Sequence, residues 1–374
     1  MRIALLTYST KPRGGVVHTL SLAEALARLG HEVTVWTLGR GGDRVFYRAV
    51  DPAVGTRMVE FPPIEGEEVG PRIMRSIRVL SEAFAASRDE YDVVHAQDCI
   101  SANAVGRCIR TVHHLDQFTT PELARCHDRA ITAPYAHICV SQSVADEVRR
   151  GWGLEPTVIP NGVDFDRFHD VDPAAVADWA ARLGHYVLAV GGIEPRKGSI
   201  DLVRAFAEAR DRATSGEGAL DPGIRLVIGG GETLFDYRPY RAEFERECGR
   251  LGVEPVVLGT LDQEQMAPLV AAADRFAFLS IKEGFGLAAM EALAAGVPLI
   301  ARELPVLREI FDGGARFGGT IEEMADALLA PPDPALTRRG IDLARHYSWD
   351  AAAAAHVDFY RAHLQRSAAT GLAR

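Results

Sequence analysis

Glu283 and Glu291 bracket a run whose residue types suit a phosphorylated ligand: Ser280-Ile-Lys-Glu-Gly-Phe-Gly-Leu-Ala-Ala-Met-Glu-Ala-Leu-Ala-Ala-Gly-Val-Pro298. The apolar stretch 276–279 before it reads as a short buried strand. Gly284 and Gly286 give a tight turn into a helix that Gly296 ends, with Pro298 just beyond. That helix is apolar almost all round, which predicts burial. Glu291 therefore places a carboxylate where one is costly without partners. Glu283 stands in the turn, beside the free N–H groups of the helix start, which form a ready anion site. A nucleoside-diphosphate sugar would satisfy all three features. Its diphosphate would meet the backbone donors around Phe285, Gly286 and Leu287, its sugar hydroxyls Glu283, and its ribose diol Glu291. A rival reading exists: Gly284-Phe-Gly286-Leu-Ala-Ala289, with Glu303 about 20 residues on, also fits a dinucleotide fingerprint and would make the chain an NAD-binding dehydrogenase. That fingerprint belongs to the first βα turn of its unit, and it leaves Glu291 unexplained.

Other turns carry complementary chemistry. Arg196 and Lys197 in Gly191-Gly-Ile-Glu-Pro-Arg-Lys-Gly198 follow a predicted strand over 186–190 and precede a helix to about Asp211. A guanidinium fork and a point charge together suit a diphosphate. Gly14 and Gly15 close the loop after a first strand, Ile3 to Tyr8, ahead of a helix over 16–29. Gly230 lies in the turn after a strand over 224–228. All three turns stand at the carboxyl ends of strands, where open α/β sheets bind ligands.

Glu283 and Glu291 form E-x7-E, and the surrounding EGFGL…EALAAGVP resembles the donor-site signature of the retaining glycosyltransferases of family 4, with the GT-B fold. The likeness covers about residues 1–365 and is densest over 186–310. It implies two Rossmann-like, doubly wound α/β domains facing across a cleft. The first, 1–168, would be the acceptor side, with a last helix, 349–365, packing back on it. The second, 169–348, would bind the donor. Four catalytic positions follow from the resemblance: Glu283, Lys197, Arg196, and His113 at the end of a strand running from Ile109, with His114 adjacent. The Gly14-Gly15 turn would lie against sugar and phosphate. Gly192 occupies a position where the family usually has Arg, and Arg196 would substitute for it. Lys197 and Glu283 are expected within joint reach of one diphosphate sugar, about 15 Å. The resemblance implies transfer with retention and no metal, the leaving diphosphate taking the acceptor proton. No cofactor is expected, because the nucleotide sugar is a substrate. An epimerase or phosphorylase of the same fold and a non-catalytic nucleotide-sugar-binding protein remain alternatives, beside the dehydrogenase.

Bulk properties agree. The 374 residues suffice for two domains and carry a net charge of −10, against nucleic acid as partner. Five scattered cysteines show no C-x-x-C spacing, so no disulfide framework or zinc site is expected. No run of about 18 apolar residues spans a membrane, and the start reads as a strand, which suggests a cytoplasmic protein. The acceptor, whether small molecule, glycan or lipid, and the oligomeric state stay open. Arg72, Arg75 and Arg78 recur at helical spacing in a helix expected over 72–88. They form either a solvated face or a basic surface for an anionic acceptor or membrane.

Overall fold

The computed structural model describes residues 1–115, 120–230 and 237–370, with side chains through Arg366. It divides into two compact units, residues 1–162 with 349–374, and residues 163–348. The boundary falls six residues before the expected 168, because the short helix Phe165–His169 belongs to the second unit. Phe168 is buried there, and the His169 ring pairs through Nδ1 with the Ala294 carbonyl.

The first unit is a parallel sheet of β1 (Arg2–Leu6), β2 (Glu32–Arg40), β3 (Val54–Phe61), β4 (Val93–Ala96), β5 (Ile109–Val112), β6 (Ala136–Cys139) and β7 (Thr157–Val158), in the order β3-β2-β1-β4-β5-β6-β7. The second has β8 (Tyr186–Val190), β9 (Arg225–Gly229), β10 (Val256–Gly259), β11 (Arg275–Phe278), β12 (Leu299–Arg302) and β13 (Ala315–Gly318), ordered β10-β9-β8-β11-β12-β13. Both orders run outward from the first strand of the unit and then reverse, so each sheet has a topological switch point, β1/β4 and β8/β11. That is where doubly wound sheets leave a ligand crevice.

Strand composition explains the burial. Residues 3–6 of β1 and all of β11 are inaccessible to solvent, as parallel strands covered on both faces must be. β2 runs from Glu32 to Arg40 and pairs with β3 from Val33 through Arg40 opposite Phe61. The helix expected at 72–88 spans Val69–Ala85. From Arg238 the chain is helical to Leu251. The last helix, Trp349–Thr370, packs on helix Gly14–Arg28 within the first unit. Arg28 clasps Asp350 there at 2.6 Å.

Candidate active site

In the second unit the two loops at the switch point meet. The β8 loop carries a short 3-10 turn, Pro195–Lys197, and the β11 loop runs from Leu279 to Gly286. Ile281 N–H donates to the Arg196 carbonyl at 2.8 Å, and Arg302 at the end of β12 braces both sides. Its Nε donates to the Leu279 carbonyl at 2.9 Å and its Nη2 to Asp201 at 2.5 Å. Sequence reasoning passed over Arg302 and Asp201; nothing in their local pattern marks two residues 101 positions apart as a clasp.

This frame brings the predicted charges together. Lys197 Nζ lies 2.6 Å from Glu283 Oε1, well inside the expected reach, and Arg196 Nη1 donates to the same oxygen at 3.1 Å. Arg196 Nη2 also donates to Glu194 at 2.9 Å. Arg196 reaches Glu283 from four residues later in the chain than Gly192. Burial pushes the Glu283 carboxyl up, but the charges of Lys197 and Arg196 outweigh it and hold the group at about 2. Glu283 is therefore a fixed carboxylate, and the two cations it holds are preorganised for an anion. Lys197 Nζ also lies 5.1 Å from the centre of the Phe278 ring.

The glycines act by close approach. Gly286 caps the helix Leu287–Ala294 at φ +103°, and an added Cβ would lie 3.0 Å from both Phe278 and Phe311. At Gly230 a Cβ would meet the Gly191 carbonyl oxygen at 2.1 Å, so the β8 and β9 loops can touch only through glycine. Phe285 is 3% exposed and packs edge-on against Tyr347, which leaves its backbone rather than its ring for a ligand. Leu287 is half-buried.

Glu291 is the single charged residue of its helix, and Arg167 is its nearby cation. Burial pushes its carboxyl up to about 7, with Arg167 pulling down and Asp164 pushing up. Arg167 is itself turned to the Gln263 carbonyl. Among the described residues, the cation near that carboxylate is thus itself engaged elsewhere.

In the first unit Gly14 and Gly15 form the first turn of a helix rather than a separate tight turn, with Arg13 at its cap. His113 follows β5 directly, and a methyl added at Gly15 would lie 3.7 Å from its ring. Its Nε2 is buried without a hydrogen-bond partner among the described residues. Burial, with the charges of His114 and Arg110, pushes its pKa down to about 3, so the ring is neutral at pH 7. The surrounding histidines were not legible in sequence. His18 packs edge-on to His113 at 4.7 Å and pairs with Asn161 at 2.8 Å. His95 is held by Tyr360 and Thr111, each at 2.7 Å. Trp349, His356 and Tyr360 all come from the last helix, so that helix walls the histidine group.

Residues 12–167 match the family described as Glycosyltransferase Family 4, and residues 183–330 match Glycosyl transferases group 1. The D-inositol 3-phosphate glycosyltransferase of Streptomyces bingchenggensis is 30% identical, covering 96% of this chain and 89% of that protein. The chain belongs to glycosyltransferase family 4. This glycosyltransferase is also 26% identical to an uncharacterized glycosyltransferase of Methanocaldococcus jannaschii, over 96% of this chain and 98% of that one. Among solved structures, sucrose-phosphate synthase from Thermosynechococcus elongatus matches it with a TM-score of 0.78 at 22% identity, covering 98% and 100% of the two chains. Anabaena HepE in complex with UDP-glucose matches with a TM-score of 0.68 at 18% identity, covering 99% and 100%. The glycosyltransferase has the GT-B fold of two Rossmann-like units, and the NAD-dehydrogenase reading of Gly284–Ala289 is set aside. Among its described residues no helix is long and apolar enough to cross a membrane, and no cluster of His, Cys, Asp or Glu would hold a metal ion.

Proposed function

We propose that this glycosyltransferase moves a sugar from a nucleoside-diphosphate sugar to an acceptor hydroxyl, with retention at the anomeric carbon and without a metal. The observation that carries the reading is the Glu283 carboxylate gripped by Lys197 at 2.6 Å and Arg196 at 3.1 Å at the switch point of the second sheet. When a donor enters, its diphosphate replaces Glu283 as partner of the two cations. Glu283 then accepts from sugar hydroxyls. The bond from the anomeric carbon to the diphosphate oxygen breaks, a bond to the acceptor oxygen forms on the same face, and the acceptor proton passes to the departing phosphate oxygen. Lys197 and Arg196 favour this step because the negative charge on that oxygen grows as the bond breaks, and fixed cations need no reorganisation at that moment. Glu291, short of partners, accepts from the ribose diol. HepE, crystallised with UDP-glucose, makes a UDP-sugar the first donor to test.

The first unit takes the acceptor side. His113, neutral and with Nε2 unpartnered among the described residues, is a hydrogen-bonding group for a hydroxyl rather than a cation. A panel of UDP, GDP, ADP and their sugars in thermal shift identifies the donor, since a tight ligand raises Tm by mass action. NMR of the anomeric proton of the product then reads the stereochemistry. Inversion, or no transfer from any donor that binds, would refute the proposal. Product with altered sugar configuration and no acceptor would favour the epimerase alternative.

A further inference from the structure

The arginine face expected at 72, 75 and 78 is not a face. Arg75 is committed: it pairs with Glu67 at 2.6 Å, lies 3.8 Å from the centre of the Phe61 ring, and donates to the Pro62 carbonyl. Arg78 pairs with Glu82 in solvent. Arg72 is different, because its Nε is buried with no hydrogen-bond partner among the described residues. Three further guanidinium groups share that condition: Arg110, on β5, and two that interact with Arg72 or with each other. Arg40 Nη2 and Arg13 Nε are buried and unpartnered among the described residues.

Topology gathers them. Tyr8, Arg40 and Phe61 stand at the carboxyl ends of three adjacent parallel strands, and Arg40 is in register with Phe61. The Arg40 guanidinium lies 5.2 Å from the centre of the Tyr8 ring and 5.8 Å from that of Phe61. Arg13 donates to the Tyr8 hydroxyl at 3.0 Å. Burial first, then repulsion from Arg72 and Arg13, lowers the Arg40 pKa against the opposing pull of Tyr8 and Asp98. The nearby acids are engaged elsewhere. Asp98 accepts from the backbone of Tyr8 and Ser101, Asp43 from Thr10 and Lys11, and Glu67 from Arg75. Each of the three guanidinium groups has a buried nitrogen without a hydrogen-bond partner among the described residues, and a buried donor left unpaired is disfavoured, so the cluster suits an anion. Planar guanidinium forks match the oxygens of a phosphate.

We propose that Arg13, Arg40 and Arg72 form an oxyanion subsite that takes a phosphate monoester carried by the acceptor. The proposal rests on the transferase reading above for the word acceptor, but the subsite itself is a property of the first unit. The monoester belongs either to a soluble compound or to a lipid headgroup.

The test uses the full chain with inorganic phosphate by calorimetry, phosphatidic acid vesicles by co-sedimentation, and UDP in parallel. The proteins are wild type, the double variant Arg40→Gln/Arg72→Gln, and Arg78→Gln. Wild type and Arg78→Gln are expected to bind phosphate alike, and the double variant about 10- to 100-fold more weakly, the loss of charge-assisted hydrogen bonds. Vesicle binding that the double variant loses assigns the monoester to a lipid; phosphate binding without vesicle binding assigns it to a soluble acceptor. With repulsion relieved, the double variant keeps or raises its phosphate-free Tm. Wild type that binds neither probe, equal weakening in Arg78→Gln, or a lowered phosphate-free Tm in the double variant would overturn the subsite. Failure of wild type to bind UDP counts against the donor reading alone.

Discussion

Lys197 and Glu283 share a contact of 2.6 Å, so removing either leaves the other charge partly buried as well as removing its role. Lys197→Ala is expected to lower kcat by about 10²–10³, the usual loss for one donor to developing charge, with KM for the donor changed less. Full activity in a folded Lys197→Ala protein would rule out the leaving-group role. Glu291 makes a pH-dependent prediction. Its carboxyl is raised from 4.5 to about 7 in the folded protein, chiefly by burial. The folded chain therefore holds that proton more tightly than the unfolded chain. The resulting stability is present below about pH 4.5 and is lost as pH rises through about 7. A ribose diol favours the ionised form, so UDP binding is expected to release a proton and to tighten as pH rises through about 7. Glu291→Gln should flatten that dependence, weaken UDP at pH 8, and raise the ligand-free Tm at pH 8 but not at pH 4. Calorimetry in two buffers of different ionisation enthalpy measures the proton count; an unchanged pH profile in Glu291→Gln would remove Glu291 from the ribose site.

At the scale of elements, the loop that carries Glu283 leads into a helix that starts from a left-handed glycine. Gly286 has φ +103° and no room for a Cβ between Phe278 and Phe311, so Gly286→Ala must strain the backbone and displace a core ring. The expected cost is about 1–3 kcal/mol, read as a lowered urea midpoint, together with weaker UDP binding because the Glu283 loop moves with the helix start. A variant that loses neither would show that the loop tolerates another entry into the helix. The last helix has a comparable role in the first unit. Its Trp349, His356 and Tyr360 wall the group that includes His18 and His95, and burial holds all of these histidines below their ordinary pKa. Tyr360→Phe removes one hydrogen bond to His95 and is expected to cost about 1 kcal/mol of stability, measured in urea, without altering UDP affinity.

For the whole molecule, two parallel sheets whose first six strands share one order each offer one switch point, and the two units carry polar chemistry of different kinds. The second unit has cations paired with the Glu283 carboxylate; the first has a neutral histidine and, among the described residues, buried arginine nitrogens without hydrogen-bond partners. Chelator is expected to leave transfer intact, because Lys197 and Arg196 supply the charge a metal would otherwise supply. Assaying with excess EDTA and then with added Mg²⁺ or Mn²⁺ checks this. Activity that appears only on metal addition would contradict it.

Local chemistry made the turn and helix over 284–296 legible in the sequence. Gly284, Gly286, Glu291, Gly296 and Pro298 form a turn, a buried helix and its stop within one stretch, and each of those features depends on near neighbours in the chain. Strand existence was equally local, because a strand covered on both faces is an unbroken apolar run. Contacts between residues far apart in sequence were decided only by tertiary structure. Arg302 with Asp201, His95 with Tyr360, and Arg13 beside Arg40 and Arg72 have no shared periodicity to announce them. Helical spacing grouped Arg72 with Arg75 and Arg78, whereas the parallel sheet grouped it with Arg40 and Arg13. Spacing along one helix says which residues share a direction. What fills that direction depends on the strand ends brought alongside, and those are set by sheet order.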